Sequence, residues 1–396
     1  MNDQRLRFLF LNIGHFLDHL FVLIFATAAL RLTLDWNMSY AELIPYATPG
    51  FVAFGLCAIP AGWLADKWSR EGMMVVFFIG IGVCSIIASF AETPMQMALS
   101  LTAVGVFAAI YHPVGLAMVV QGLEKTGVPL AINGIFGNMG VASAALLTGF
   151  LVDTAGWKSA FIVPGCVSIA VGIWFLLFVR AGRAGVKEAA AAGAAGRTDI
   201  PTRLLIRFFA VILITTALGG LVFQSTTFAL PKVFDERLTD IAGTATLVGF
   251  YAFITFTVAA FAQLVVGYLV DHYPVRTVFA AVAGLQAVFF FVMAQLDGIA
   301  ALLVAVAFML VVFGQIPIND VLIGRIARSA WRSRAYALRY IVTFTVSATA
   351  VPLIAWIHSG WGFALLFSAL AYIALGIFVT TLFLPERSRV PEQAAV

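Results

Sequence analysis

Four polar side chains interrupt an apolar stretch near the start of the chain: Asn12, His15, Asp18 and His19. On an α-helix, at about 100° per residue, they share a stripe about 120° wide. His15 and His19 stand one turn apart with the Asp18 carboxylate beside them. Imidazole changes charge near neutral pH, and a carboxyl held away from water is raised toward the same range. The stripe therefore suits taking up and releasing protons. Two imidazoles and a carboxylate on one helix face also suit a divalent metal, with His112 as a further ligand. His112 lies in another apolar run, just before Pro113, whose missing N–H bends a helix. Both chemistries remain open at this level.

These groups stand in a setting that is costly for them. Of 396 residues, 62% are apolar and only 11% charged, and the mean hydropathy is +1.02. Such a chain faces lipid, where backbone groups must be satisfied within each segment, so helices are expected. A spanning helix takes about 20 residues. Spans are expected near 8–34, 41–65, 72–91, 95–121, 127–153, 158–180, 204–231, 243–270, 276–296, 299–323, 335–357 and 361–384. An Asp at a helix centre costs about 2.5–3.5 kcal/mol, so Asp18 should face a wet cavity or a partner.

With twelve spans, every Lys and Arg except Arg31, Lys158, Lys232, Arg237 and the intramembrane Arg339 falls on one side. Basic loops stay in the cytoplasm, so both termini are expected there. Topology accounts for the net charge of +4, and no nucleic-acid partner is needed. Cys57, Cys84 and Cys166 lie inside apolar runs and read as packing residues. The first apolar run is too long for a signal peptide and reads as a retained helix. There is no Gly-x-x-x-x-Gly-Lys-Ser/Thr phosphate loop, which argues against a nucleotide-driven pump. Five histidines are too few for the repeated clusters of an intramembrane di-iron enzyme. No cofactor is expected.

Two related phrases lie about 205 residues apart: Gly62, Asp66, Lys67 and Arg70, then Gly267, Asp271 and Arg276. Each closes an apolar run with a Gly, an Asp four residues on, and basic charge beyond. Small residues let membrane helices approach, and charges at helix ends latch them. Pro113 answers Pro317, and Gly156-Trp157 answers Gly360-Trp361, at nearly the same offset. The chain therefore divides into halves at 1–180 and 204–396, with 181–203 as a small-residue cytoplasmic linker. Such latched halves suit a rocking carrier.

Candidate cavity residues are Asn12, Tyr111 and Asn138 in the first half, and Gln224, Asn319, Asp320, Arg339 and Tyr340 in the second. Neutral hydrogen-bonders beside aromatics suit an organic solute, and Arg339 could grip an anionic group. Gly134, Gly137 and Gly140 read as helix-packing positions.

The Gly62–Arg70 phrase resembles the signature loop of the major facilitator superfamily, and the second copy is a degenerate form of it. The resemblance implies an all-α membrane protein of twelve helices in two pseudo-symmetric six-helix bundles, the first and fourth helices lining a central cavity. A narrower resemblance is to the fosmidomycin-resistance branch of drug-efflux carriers. It rests on the Asp18-His19 segment, Tyr111-His112-Pro113 and Gly137-Asn138-Met139-Gly140.

The expectation is a proton-coupled carrier of a small organic solute in a bacterial inner membrane. It would alternate access with Asp18, His19, His112 and His15 carrying protons. Export is expected first, with uptake by symport or divalent-metal transport as alternatives. Its partners are the solute, protons and lipid, and one chain with both halves should work as a monomer.

Overall fold

The computed structural model describes residues 3–121, 127–182, 202–326 and 329–384, all helical apart from short connections. Among the described residues, eleven helices are long and apolar enough to cross a bilayer. They are α1 (Asp3–Asp35), α2 (Tyr40–Lys67), α3 (Arg70–Ala88), α4 (Pro94–Val120), α5 (Gly127–Ala155) and α6 (Trp157–Arg180). There follow α7 (Thr202–Arg237), α8 (Ala245–His272), α9 (Val275–Met293), α10 (Gly298–Ile326) and α11 (Ser329–Thr381).

The last of these is two spans in one element. Its apolar part runs for 41 residues and is broken at Gly362, where φ is 67° and ψ is −167°. A left-handed φ is cheap only without a Cβ. The turn expected at 358–360 is thus helical, and the chain breaks at the next glycine that allows it. Counting both limbs gives the twelve spans read from hydropathy.

Local chemistry explains the helix starts. At α2, the Ser39 hydroxyl accepts the Glu42 N–H at 3.2 Å while the Glu42 carboxylate accepts the Ser39 N–H at 2.8 Å. This reciprocal cap satisfies two otherwise orphaned donors. Ser69, which stands where the signature loop has its second glycine, caps α3 by accepting the Gly72 N–H at 3.0 Å. Prolines explain the interruptions. Pro45 sits in a tighter 3-10 turn at Ile44–Ala47 within α2. Pro113 sits in a wider π-turn at Tyr111–Gly115 within α4, because its ring and missing N–H prevent the regular ladder from continuing.

The chain forms two compact units. One comprises Met1–Ala192, Thr227–Thr257 and Val351–Trp356; the other comprises Gly193–Thr226, Val258–Ala350 and Ile357–Val396. In the first, α1 packs along α5, α3 along α6 and α2 along α4. Phe10 of α1 seats among Trp174, Phe175 and Phe178 of α6. In the second, α9 packs along α10, and Phe290, Phe308 and Phe367 form an aromatic core. Residues 183–201, most of the expected linker, lie outside the described residues.

Candidate functional site

The polar stripe of α1 turns inward, against α5 and the π-turn of α4. Asp18 is fully buried and His15 nearly so, whereas His19 and His112 are half-buried. The His112 Nε2 lies 3.5 Å from the Asp18 Oδ2. Neither carboxylate oxygen of Asp18 has a hydrogen-bond partner among the described residues. The three imidazoles gather with one another: ring centres are 5.0 Å apart for His15–His19, 5.5 Å for His15–His112 and 5.5 Å for His19–His112. The three expected imidazoles therefore meet, and Asp18 joins them through His112.

The widened turn at Pro113 explains how a residue of α4 joins them. A π-turn re-aims the side chains next to it, and such turns gather at functional sites. His112 also lies edge-on to Phe54 of α2, with ring centres 5.8 Å apart. Gly62, expected at a helix contact, lies close to Pro113: a Cβ there would come within 3.2 Å of the proline ring.

Behind the imidazoles stands a hydrogen-bonded hub centred on Asn133 of α5, a residue not among those expected. Its backbone carbonyl accepts the His15 Nδ1–H at 2.8 Å. Its side-chain amide donates to the Asn12 Oδ1 at 2.9 Å and to the Tyr111 hydroxyl at 2.9 Å. The Tyr111 hydroxyl in turn donates to the Leu11 carbonyl at 2.8 Å. One amide thereby ties α1, α4 and α5 together. A signal was present in the sequence: Asn133, Gly137 and Gly140 fall within about 60° on a helix, a polar residue sharing a face with two small ones.

Three expectations change here. Tyr111 does not line a cavity in this structure; it is fully buried, stacked on His15 with ring centres 4.8 Å apart, and bonded through its hydroxyl. Asn138 is half-buried and makes none of the hub contacts, because it lies about 140° round α5 from Asn133. Gly134 has nothing within 4 Å of an added Cβ, so close packing does not account for it. Gly137 and Gly140 do meet α1: a Cβ at Gly137 would come 2.6 Å from the His15 Nε2, and one at Gly140 would fall on the Phe16 carbonyl.

The second unit carries a neutral polar seam. Thr215 donates to the Asn319 Oδ1 at 3.1 Å. Gln286 of α9 donates to the Gln315 Oε1 of α10 at 2.7 Å and to the Val311 carbonyl at 3.1 Å. Neither glutamine was among the expected residues. Gln224 and Arg339 are buried, and the Arg339 carbonyl accepts the Thr343 hydroxyl. The side chains of Asp320 and Tyr340 lie outside the described residues.

Of the latch phrases, Asp66 bonds Arg70 one turn on, at 2.9 Å, with both exposed to a large degree. In this structure Arg70 thus closes on its own phrase. Lys67 and Asp271 are exposed, Arg276 is half-buried, and Gly267 has nothing within 4 Å of an added Cβ.

The Major Facilitator Superfamily family model matches residues 9–255 and 235–395. Over 61% of its length the chain is 26% identical to the gallate transporter of Pseudomonas putida, covering 60% of that protein. Over 41% of its length it is 28% identical to a probable actinorhodin transporter of Streptomyces coelicolor, covering 29% of that one. Both alignments thus span less than two thirds of the relative. The crystal structure of a D-xylose-proton symporter superposes with a TM-score of 0.75 at 15% identity, covering 96% of this chain and 97% of the other. That likeness speaks for the fold alone.

Proposed function

The chain belongs to the Major Facilitator Superfamily, and from that premise we propose that it is a proton-coupled carrier exporting a small organic solute by alternating access. The family and its relatives are transporters rather than enzymes. The observation that carries the coupling is the buried Asp18 carboxylate facing the His112 imidazole. A small approach from that separation to hydrogen-bond distance would let carboxyl and imidazole exchange a proton, and His15 and His19 extend the path. The driving force is ample, since one charge crossing 100 mV supplies about 2.3 kcal/mol.

An aromatic or anionic solute is supported by the relatives named for gallate and actinorhodin. Gln224, Asn319 and Arg339 offer it hydrogen bonds and charge. The mechanical parts are the halves 1–180 and 204–396, joined by 181–203 and latched at Gly62, Asp66, Lys67 and Arg70 and at Gly267, Asp271 and Arg276. Both termini face the cytoplasm of a bacterial inner membrane. The likeness to the fosmidomycin-resistance branch agrees with export. Uptake by proton symport is the second reading.

The test uses proteoliposomes of the purified carrier with gallate, 4-hydroxybenzoate and puromycin as probes. A pH gradient should accelerate the flux of at least one, and its sign gives the direction. Asp18→Asn and His112→Ala proteins should still exchange solute while losing the response to the gradient. Flux indifferent to the gradient, or full coupling in both variants, would overturn the proposal.

A further inference from the structure

We infer that His15, His19, His112 and Asp18 form a binding site for a single divalent transition-metal ion of the zinc class. The geometry comes first. A zinc ion about 2.0–2.1 Å from each imidazole nitrogen lies about 3.2 Å from each ring centre, which sets tetrahedrally placed rings about 5.2 Å apart. The observed separations are 5.0, 5.5 and 5.5 Å. The ligand nitrogens of His15, His19 and His112 lie within 4.8 Å of one another, against about 3.3 Å in a filled tetrahedral site.

Orientation comes second. His15 donates its Nδ1–H to the Asn133 carbonyl, which leaves Nε2 as the electron-pair donor. A carbonyl bound behind an imidazole is the usual outer support of a metal-ligating histidine. Gly137 keeps the space beside that Nε2 open, since any Cβ there would come 2.6 Å from it.

Charge comes third. The Asp18 carboxylate is fully buried, and neither of its oxygens accepts a hydrogen bond among the described residues. The His112 Nε2 lies 3.5 Å from one of those oxygens, so a divalent cation held by the rings would balance the carboxylate. Three imidazoles and one carboxylate select zinc, cobalt or nickel over magnesium or calcium, which prefer six or more oxygens.

Because the ion takes the atoms assigned to the proton path, its occupancy stops coupled transport. That consequence rests on the carrier reading; the binding itself does not. The test uses full-length protein purified without a histidine tag. Co2+ titration should give the strong visible absorption of tetrahedral cobalt, saturating at one ion per chain, and Zn2+ should displace it. His19→Ala and His112→Ala should each weaken Zn2+ binding at least tenfold, measured by competition with a chromophoric chelator, and a thermal melt checks that each variant is folded. A protein carrying both His272→Ala and His358→Ala should bind as the parent does. Absence of saturable binding in the parent protein, or unchanged affinity in the two cluster variants, would overturn the inference whatever the flux assay shows. Binding without any pH-driven flux would instead sink the carrier reading and leave the site standing.

Discussion

The Asp153 carboxylate holds the first turn of α8 twice, accepting the Thr246 backbone N–H at 2.6 Å and the Thr246 hydroxyl as well. Asp153 closes the last turn of α5, and the first N–H groups of α8 have no partner within their own helix. The acid therefore satisfies orphaned donors and meets the positive end of the helix dipole. The crossing beneath it is tight: a Cβ at Gly149 would fall on the Ala245 carbonyl, and one at Gly249 on the Ala145 carbonyl.

This contact should resist separation of α5 from α8. In a protein lacking its three native cysteines, Ala145→Cys, buried at 3% exposure, should react slowly with a membrane-impermeant thiol reagent. Adding Asp153→Ala should speed labelling several-fold. Equal rates would show that the acid does not restrain this crossing.

The Asn133 hub predicts a stability loss with a defined source. Asn133→Ala leaves the Tyr111 hydroxyl and the Asn12 amide short of buried partners, a cost of about 1–3 kcal/mol. The unfolding midpoint in detergent should fall accordingly. An unchanged midpoint would mean that water replaces the amide at no cost.

Two glycines on α5 should behave oppositely. Gly140→Ala forces a Cβ onto the Phe16 carbonyl and should destabilise the protein and reduce flux. Gly134→Ala meets open space and should be neutral or stabilising by about 0.5–1 kcal/mol through helix propensity. Reversal of that order in thermal melts would contradict the packing of α1 on α5.

The Gln286–Gln315 pair offers a test by asymmetry. Gln286→Leu alone removes the donor to the buried Gln315 Oε1 and should cost about 1–3 kcal/mol. Replacing both residues with Leu removes both needs and should cost less than either single change. A double variant as unstable as the sum of the singles would show that the pair acts as two independent contacts.

The spans were legible because each is a near-continuous apolar run whose length the bilayer sets. The junction at Gly362 was misplaced by two residues, since Gly360-Trp361 carries the same turn chemistry and nothing local decides which glycine adopts the left-handed φ. The ionisable cluster was legible for an energetic reason: an Asp among apolar residues is too costly to be incidental. Asn133, Gln286 and Gln315 escaped notice because a single amide in a membrane helix costs little and occurs widely.

By itself, the order of residues determined that this chain lives in a bilayer, how many times it crosses, and that Asn12, His15, Asp18 and His19 share one face of the first helix. Those properties depend on hydropathy and on a 3.6-residue period, both local. Only the folded molecule decided that this face turns to Asn133 and to His112 rather than to Asn138, and that Tyr111 is sealed in the core. Which side chains meet across helices depends on each helix's rotation and depth, and on the extra residue that Pro113 inserts into a turn of α4. Contacts between three helices set those quantities together, and no stretch of one helix contains them.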